Sequence, residues 1–108
     1  NVMKRFDHEK LEVYRSAIRF VAWLSELMKK VKLDHHIVPL AESFKQLDRA
    51  SISIALNIAE GNGRRQMKQR IRFLDDARGS ATECAAGLDV LVAKGVLENK
   101  DIDKGKEL

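Results

Sequence analysis

The chain is 108 residues long, 44% hydrophobic and 33% charged, with a formal net charge of +4 at pH 7. That length suits one domain with one modest core, and the composition excludes a disordered chain. One proline and six glycines are too few for a sandwich or barrel, no apolar run reaches the ~20 residues of a membrane span, and the single cysteine, Cys84, rules out an intrachain disulfide and a cysteine cluster for zinc.

In chain order, the periodicity predicts helices over about residues 9–31, 39–60, 65–93 and 99–108, an all-α bundle in a single domain over 1–108. In the first helix Leu11, Tyr14, Ile18, Val21, Leu24 and Met28 form one apolar stripe, with Phe20 and Trp23 beside it, where they either widen the core contact or form a second, intersubunit face. Asp7 is the expected N-cap, and Lys29, Lys30 and Lys32 suit the negative end of the helix dipole. Leu33 to Val38 reads as a connector. Pro39 is tolerated in a first helical turn, so the second helix is expected to start beside it.

The second helix should bury Leu40, Phe44, Leu47, Ile54 and Ile58, then stop at Gly61-Asn62-Gly63, with glycine in the left-handed position past the helix end. The third should bury Phe73, Leu74, Ala77, Ala81, Cys84, Leu88 and Leu91. Ala77, Gly79, Ser80, Ala81, Ala85, Ala86 and Gly87 are small for mid-helix positions, where glycine costs ~1 kcal/mol, so close approach by another helix is expected. Lys94-Gly95 ends this helix, and Asn99 is the expected cap of a short fourth one.

Two features stand out from this frame. Arg49, Ser53, Asn57, Glu60 and Arg64 are spaced four, four, three and four apart, so they share one helical face. A solvated face is the plain reading. Serine and asparagine are poor helix formers on an open surface, which favours a buried or interfacial polar network over catalysis, with no nucleophile–base pair nearby. The second feature is the run from Gly61 to Arg72, which holds five basic residues and no acid. At 100° per residue Arg64, Arg65, Lys68 and Arg72 fall within about a 100° arc of the third helix. Cations at a helix N-terminus oppose its dipole, and a phosphate-binding patch gives them a purpose. Few aromatics are present for base stacking, so backbone contact is expected rather than base readout.

Weaker candidates do not assemble into sites. Adjacent His35 and His36 point apart and lack further ligands, so no metal is expected. Cys84 lies on an apolar face, where an inert thiol is the expectation. No cofactor, membrane or small-molecule substrate is implied.

Phe6-Asp7-His8-Glu9-Lys10-Leu11-Glu12-Val13-Tyr14 is similar to the opening of the four-helix bundle family first noticed as proteins encoded in 23S rRNA intervening sequences. Gln46-Leu47-Asp48-Arg49-Ala50 and the run Ser53-Ile54-Ala55-Leu56-Asn57-Ile58-Ala59-Glu60-Gly61-Asn62-Gly63-Arg64 resemble its hallmark. Phe73-Leu74 and Ala77-Arg78-Gly79-Ser80-Ala81-Thr82-Glu83-Cys84 resemble its third-helix signature. The resemblance spans nearly the whole chain. It implies an antiparallel up-down bundle that assembles into a ring-like homo-oligomer, commonly a pentamer, without enzymatic activity. It also implies a distant kinship with the accessory variability proteins of diversity-generating retroelements, which work with a reverse transcriptase and nucleic acid. Asp76 stands where the family usually has an apolar residue, which questions packing on that side of the third helix. The chain ends where the family's fourth helix would have barely begun, and Asn1-Val2 before Met3 suggests an incomplete reading frame. A bundle with so short a last helix is expected to expose an apolar groove.

The reading is a non-enzymatic, oligomeric bundle of the bacterial cytoplasm that contacts RNA or DNA. Arg64, Arg65, Lys68 and Arg72 would hold phosphates, while Arg49, Ser53, Asn57, Glu60 and Glu83 would form a structural or interfacial network. The alternative is a scaffolding homo-oligomer or protein–protein interaction module without a nucleic-acid role.

Overall fold

The computed structural model describes the backbone of residues 2–35 and 41–107, and the side chains of residues 12–31 and 41–107. Four helices follow one another: α1 (Val2–His35), α2 (Ala41–Asn62), α3 (Met67–Ala93) and α4 (Asn99–Glu107). There is no strand among the described residues, and the fold is the expected all-α bundle.

Helix α1 is longer than its periodicity suggests. Asp7 lies inside it rather than capping it, and Leu33–His35, expected in a connector, form its last turn. Neither end contains glycine or proline, so nothing in the backbone stops the helix there. The connector's remaining residues, with Pro39 and Leu40, lie outside the described residues. The buried face of α1 is also displaced from the expected stripe. Ala17, Phe20, Leu24 and Val31 are buried, with Trp23, Leu27 and Met28 packed against them, whereas Tyr14 and Ile18 are exposed. The helix is apolar around much of its circumference, and two stripes about a quarter-turn apart satisfy one period. Phe20 and Trp23, which the sequence leaves open as a widening of the core contact or a second, intersubunit face, stack on each other and widen the core, their rings 5.7 Å apart.

Helix α2 supplies the centre. It buries Phe44, Leu47, Ala50, Ser51, Ala55, Ile58 and Gly61, while Ile54 packs against both parts of the core. Helices α1 and α3 both pack on α2 and do not approach each other among the described residues, and α4 touches both of them. Large side chains from all four helices fill one end, whereas Ala17, Ala55, Ile58 and Ala77 form a slimmer core toward the other. The molecule is elongated, 50 × 19 × 18 Å.

Small residues set the α2–α3 spacing at two places. A Cβ on Gly61 would lie 3.0 Å from the Phe73 Cβ, and one on Gly87 would lie 3.0 Å from Leu47 Cδ1. Gly61 is therefore a close-approach residue inside α2, and not the left-handed cap expected of it. Helix α2 runs on to Asn62, and the Gly63 N–H bonds back to the carbonyls of Ala59 and Glu60. The expected small surface on α3 is only partly used: Ala77 is buried, but Ala81 and Ala86 are exposed and Gly79 faces open space. Leu74 is exposed as well, and Asp76 points to solvent, where a charge is cheap.

The end of α3 matches expectation. Gly95 takes φ +76°, the Gly95 N–H donates to the Val92 carbonyl (2.9 Å), and the Val96 N–H donates to that of Leu91 (3.0 Å). Asn99 is helical rather than a cap. The Asp101 carboxylate accepts instead from the Glu98 N–H at 2.8 Å, closing half of a capping box.

Candidate nucleic-acid interface

The basic run lies at one tip of the rod, where Gly63–Gln66 turn the chain from α2 into α3. Because α3 begins at Met67 and not near residue 65, Arg64 and Arg65 belong to the turn, and the common helical arc holds only for Lys68 and Arg72. Gln66, at the N-cap, makes no side-chain cap bond, and the first turn of α3 carries no acid. The positive end of the helix dipole and the neighbouring cations therefore add their potentials at this tip.

The four cations differ in freedom. Arg64 pairs with Glu60 at 3.0 Å, lies 5.1 Å above the Phe73 ring, and its carbonyl accepts from Arg70 Nε. It is a pinned residue with part of its charge offset. Arg65, Lys68 and Arg72 are exposed and make no ion pair among the described residues. Phe73, expected only on the buried face of the third helix, and Arg70, one of the five basic residues of the run, brace this tip through contacts that cross the turn and that helical spacing does not reveal.

The polar stripe divides. Asn57 Nδ2 donates to the Ser53 carbonyl (2.9 Å) and to Ser53 Oγ (3.0 Å), and Ser80 Oγ donates to Ser53 Oγ from α3 (3.0 Å). These three form a half-buried link between helices. Glu60 serves Arg64 instead, while Arg49 and Glu83 are exposed and have no side-chain partner among the described residues. Ser80, expected only as one of the small residues of α3, carries the interhelical bond through its hydroxyl. Ser51, fully buried, satisfies its hydroxyl on the Asp48 carbonyl at 2.7 Å.

Cys84 is buried, and its sulfur lies 4.0 Å from the Leu47 carbonyl oxygen. Burial, with a smaller push from the charge of Glu83, raises the thiol from 9.0 to about 11, so the nucleophilic thiolate is disfavoured. Among the described residues no group of three or more His, Cys, Asp or Glu could hold a metal. The side chain of His35 and all of His36 lie outside them. Nor is any described helix long and apolar enough to cross a membrane.

No curated protein and no solved structure shows significant similarity to the chain. Residues 9–108 match the family model described as 23S rRNA-intervening sequence protein, a match that takes in α2, α3, α4, the basic turn and the Ser53–Asn57–Ser80 link. With nearly its whole length covered and the all-helical fold to match, the chain belongs to the 23S rRNA-intervening sequence protein family.

Proposed function

We propose that this protein is a non-enzymatic homo-oligomer that binds the backbone of RNA or DNA through the α2–α3 turn. The observation that carries the reading is the freedom of Arg65, Lys68 and Arg72 at the tip of a rod, beside the uncapped start of α3 and with no acid from Gly61 to Arg72. Arg64, braced by Glu60 and Phe73, shapes the turn and contributes a weaker phosphate contact. An assembly of several copies, a pentamer in this reading, repeats the tip and lets individually weak contacts act together. Support for assembly comes from surfaces that one chain leaves unused: Gly79 facing open space, Ile52 and Leu56 exposed on α2, and Arg49 and Glu83 without side-chain partners among the described residues. The buried thiol of Cys84 gives no nucleophile, and a single free thiol suits a reducing cytoplasm.

Fluorescence anisotropy with labelled RNA and DNA across a salt series tests the reading. Binding is expected to tolerate sequence changes and to weaken steeply with salt, by roughly 0.7–0.9 counterions per phosphate contacted. Changing Arg65, Lys68 and Arg72 together to Gln should flatten the slope while helicity and oligomer size hold, with Arg64→Gln adding less. If no nucleic acid is retained at about 50 mM salt, where backbone contacts are strongest, a scaffolding role replaces this one.

A further inference from the structure

An acid stands at the edge of the basic turn, in a place that does its own helix no good. Glu60 lies in the last turn of α2, which holds no basic residue. A carboxylate there faces the negative end of the helix dipole, where a cation would be the stabilising choice. Packing does not hold it either, because the Glu60 side chain is 54% exposed.

Its partner is Arg64, whose Nη2 donates to Glu60 Oε2 at 3.0 Å. The guanidinium lies over the Phe73 ring, and the pair edges an open hollow with Leu56, Ala59 and Gly63. Arg64 is 45% exposed, so a ligand can reach it from solvent. One of its donors is already taken, however, and the opposite charges of the pair largely cancel each other's field at a distance. A phosphate approaching the fork also meets the like charge of the carboxylate. As a solvated ion pair, the contact adds little to the stability of the fold. Its larger effect falls on anything negative that arrives at the tip.

We propose that Glu60 limits the affinity of the tip for a phosphodiester backbone: its carboxylate competes with phosphate for Arg64 and leaves the binding to Arg65, Lys68 and Arg72. The inference rests on the reading of this tip as a phosphate-binding surface. Arg64 is thus a cation held in reserve, and removing one negative charge beside it adds a phosphate contact without adding a basic residue.

The test titrates labelled RNA and DNA oligonucleotides with the whole chain across a salt series. Glu60→Gln removes the charge and keeps the shape. It should tighten binding roughly three- to ten-fold near 50 mM salt and steepen the salt dependence by about one phosphate contact, 0.7–0.9 counterions. Glu60→Ala should do the same, since the effect belongs to the lost charge and not to the new amide. Arg64→Gln should weaken binding less than about two-fold by itself, yet should cancel most of the gain when combined with Glu60→Gln. That non-additivity is a readout that a purely structural role for Glu60 would not move. A gain that persists in full alongside Arg64→Gln would make Glu60 one more acid repelling the ligand, and it overturns the proposal. A loss of affinity with Glu60→Gln, or a gain confined to that variant and absent from Glu60→Ala, overturns it as well. If the wild-type chain itself retains no nucleic acid at about 50 mM salt, the proposed function falls and this inference falls with it. Binding by the wild-type chain therefore tells the two failures apart.

Discussion

Asn57, half-buried at the α2–α3 seam, and Cys84, buried in the core, are polar groups whose energetics differ. Asn57 spends its amide on Ser53, one turn back on the same helix, and Ser53 in turn accepts from Ser80 across the α2–α3 seam. Asn57→Leu removes two of these bonds, and it is expected to cost about 1 kcal/mol and lower the melting temperature by a few degrees. Unchanged melting would mean that the seam is held by packing alone. Cys84 makes its difference at alkaline pH. Its folded-state thiol titrates at about 11 instead of 9.0, so between those values the unfolded chain has lost a proton that the native one keeps. Stability is then fully present below pH 9 and falls as pH rises toward 11, by about 2–3 kcal/mol from this group. Denaturant unfolding between pH 8 and pH 11 should show the fall, and Cys84→Ala should flatten it. An unaltered slope in that variant would mean that the burial of this thiol is not what weakens the fold at alkaline pH.

At the level of the helix, glycines separate local propensity from tertiary demand. Gly61 and Gly79 both sit inside helices, where glycine is worse than alanine by about 1 kcal/mol. Gly61 faces the Phe73 Cβ at 3.0 Å and the Arg70 carbonyl at 3.4 Å, so Gly61→Ala should destabilise by roughly 1–3 kcal/mol as α3 is pushed away. Gly79 meets nothing within 4 Å, and Gly79→Ala should stabilise by about 0.5–1 kcal/mol. Thermal melts of the two variants should therefore move in opposite directions. If Gly79→Ala also breaks up an assembly, the open space beside it is filled by another chain.

On the scale of the molecule, the rod has two unlike ends. The end built by Phe20, Leu24, Phe44, Leu47, Leu91 and Ile102 carries the larger core, whereas the tip with Arg65, Lys68 and Arg72 rests on alanines and a close α2–α3 contact. Local opening is expected to be easiest at the basic tip. Hydrogen exchange should show faster amides in residues 61–74 than in residues 84–92, and the reverse order would contradict this view of the core. Sedimentation of the 108-residue chain addresses the assembly in the proposed function, for which a discrete oligomer at micromolar concentration is expected.

The all-helical class followed from the sequence because scarce glycine and proline and a sustained 3.6-residue period leave the backbone few alternatives. The stop at Gly95 was legible because the left-handed conformation it takes is open to few residue types. Facing was not legible. In α1 the apolar residues surround the helix broadly enough that Phe20 and Trp23 could widen the core contact or form a second face, and only α2, α3 and α4 decide which arc is covered. Gly61 misled because a helix-ending residue and a close-contact residue look alike in sequence, and the approach of Phe73 distinguishes them. The basic run was visible as composition, yet the division between a pinned Arg64 and Arg65, Lys68 and Arg72, unpaired among the described residues, depends on Glu60, Phe73 and Arg70 meeting around the turn. Periodicity is a property of one helix and survives in its sequence. Which face is buried, which charge is paired and which groove stays open are properties of pairs of helices, and these are settled only when the helices pack.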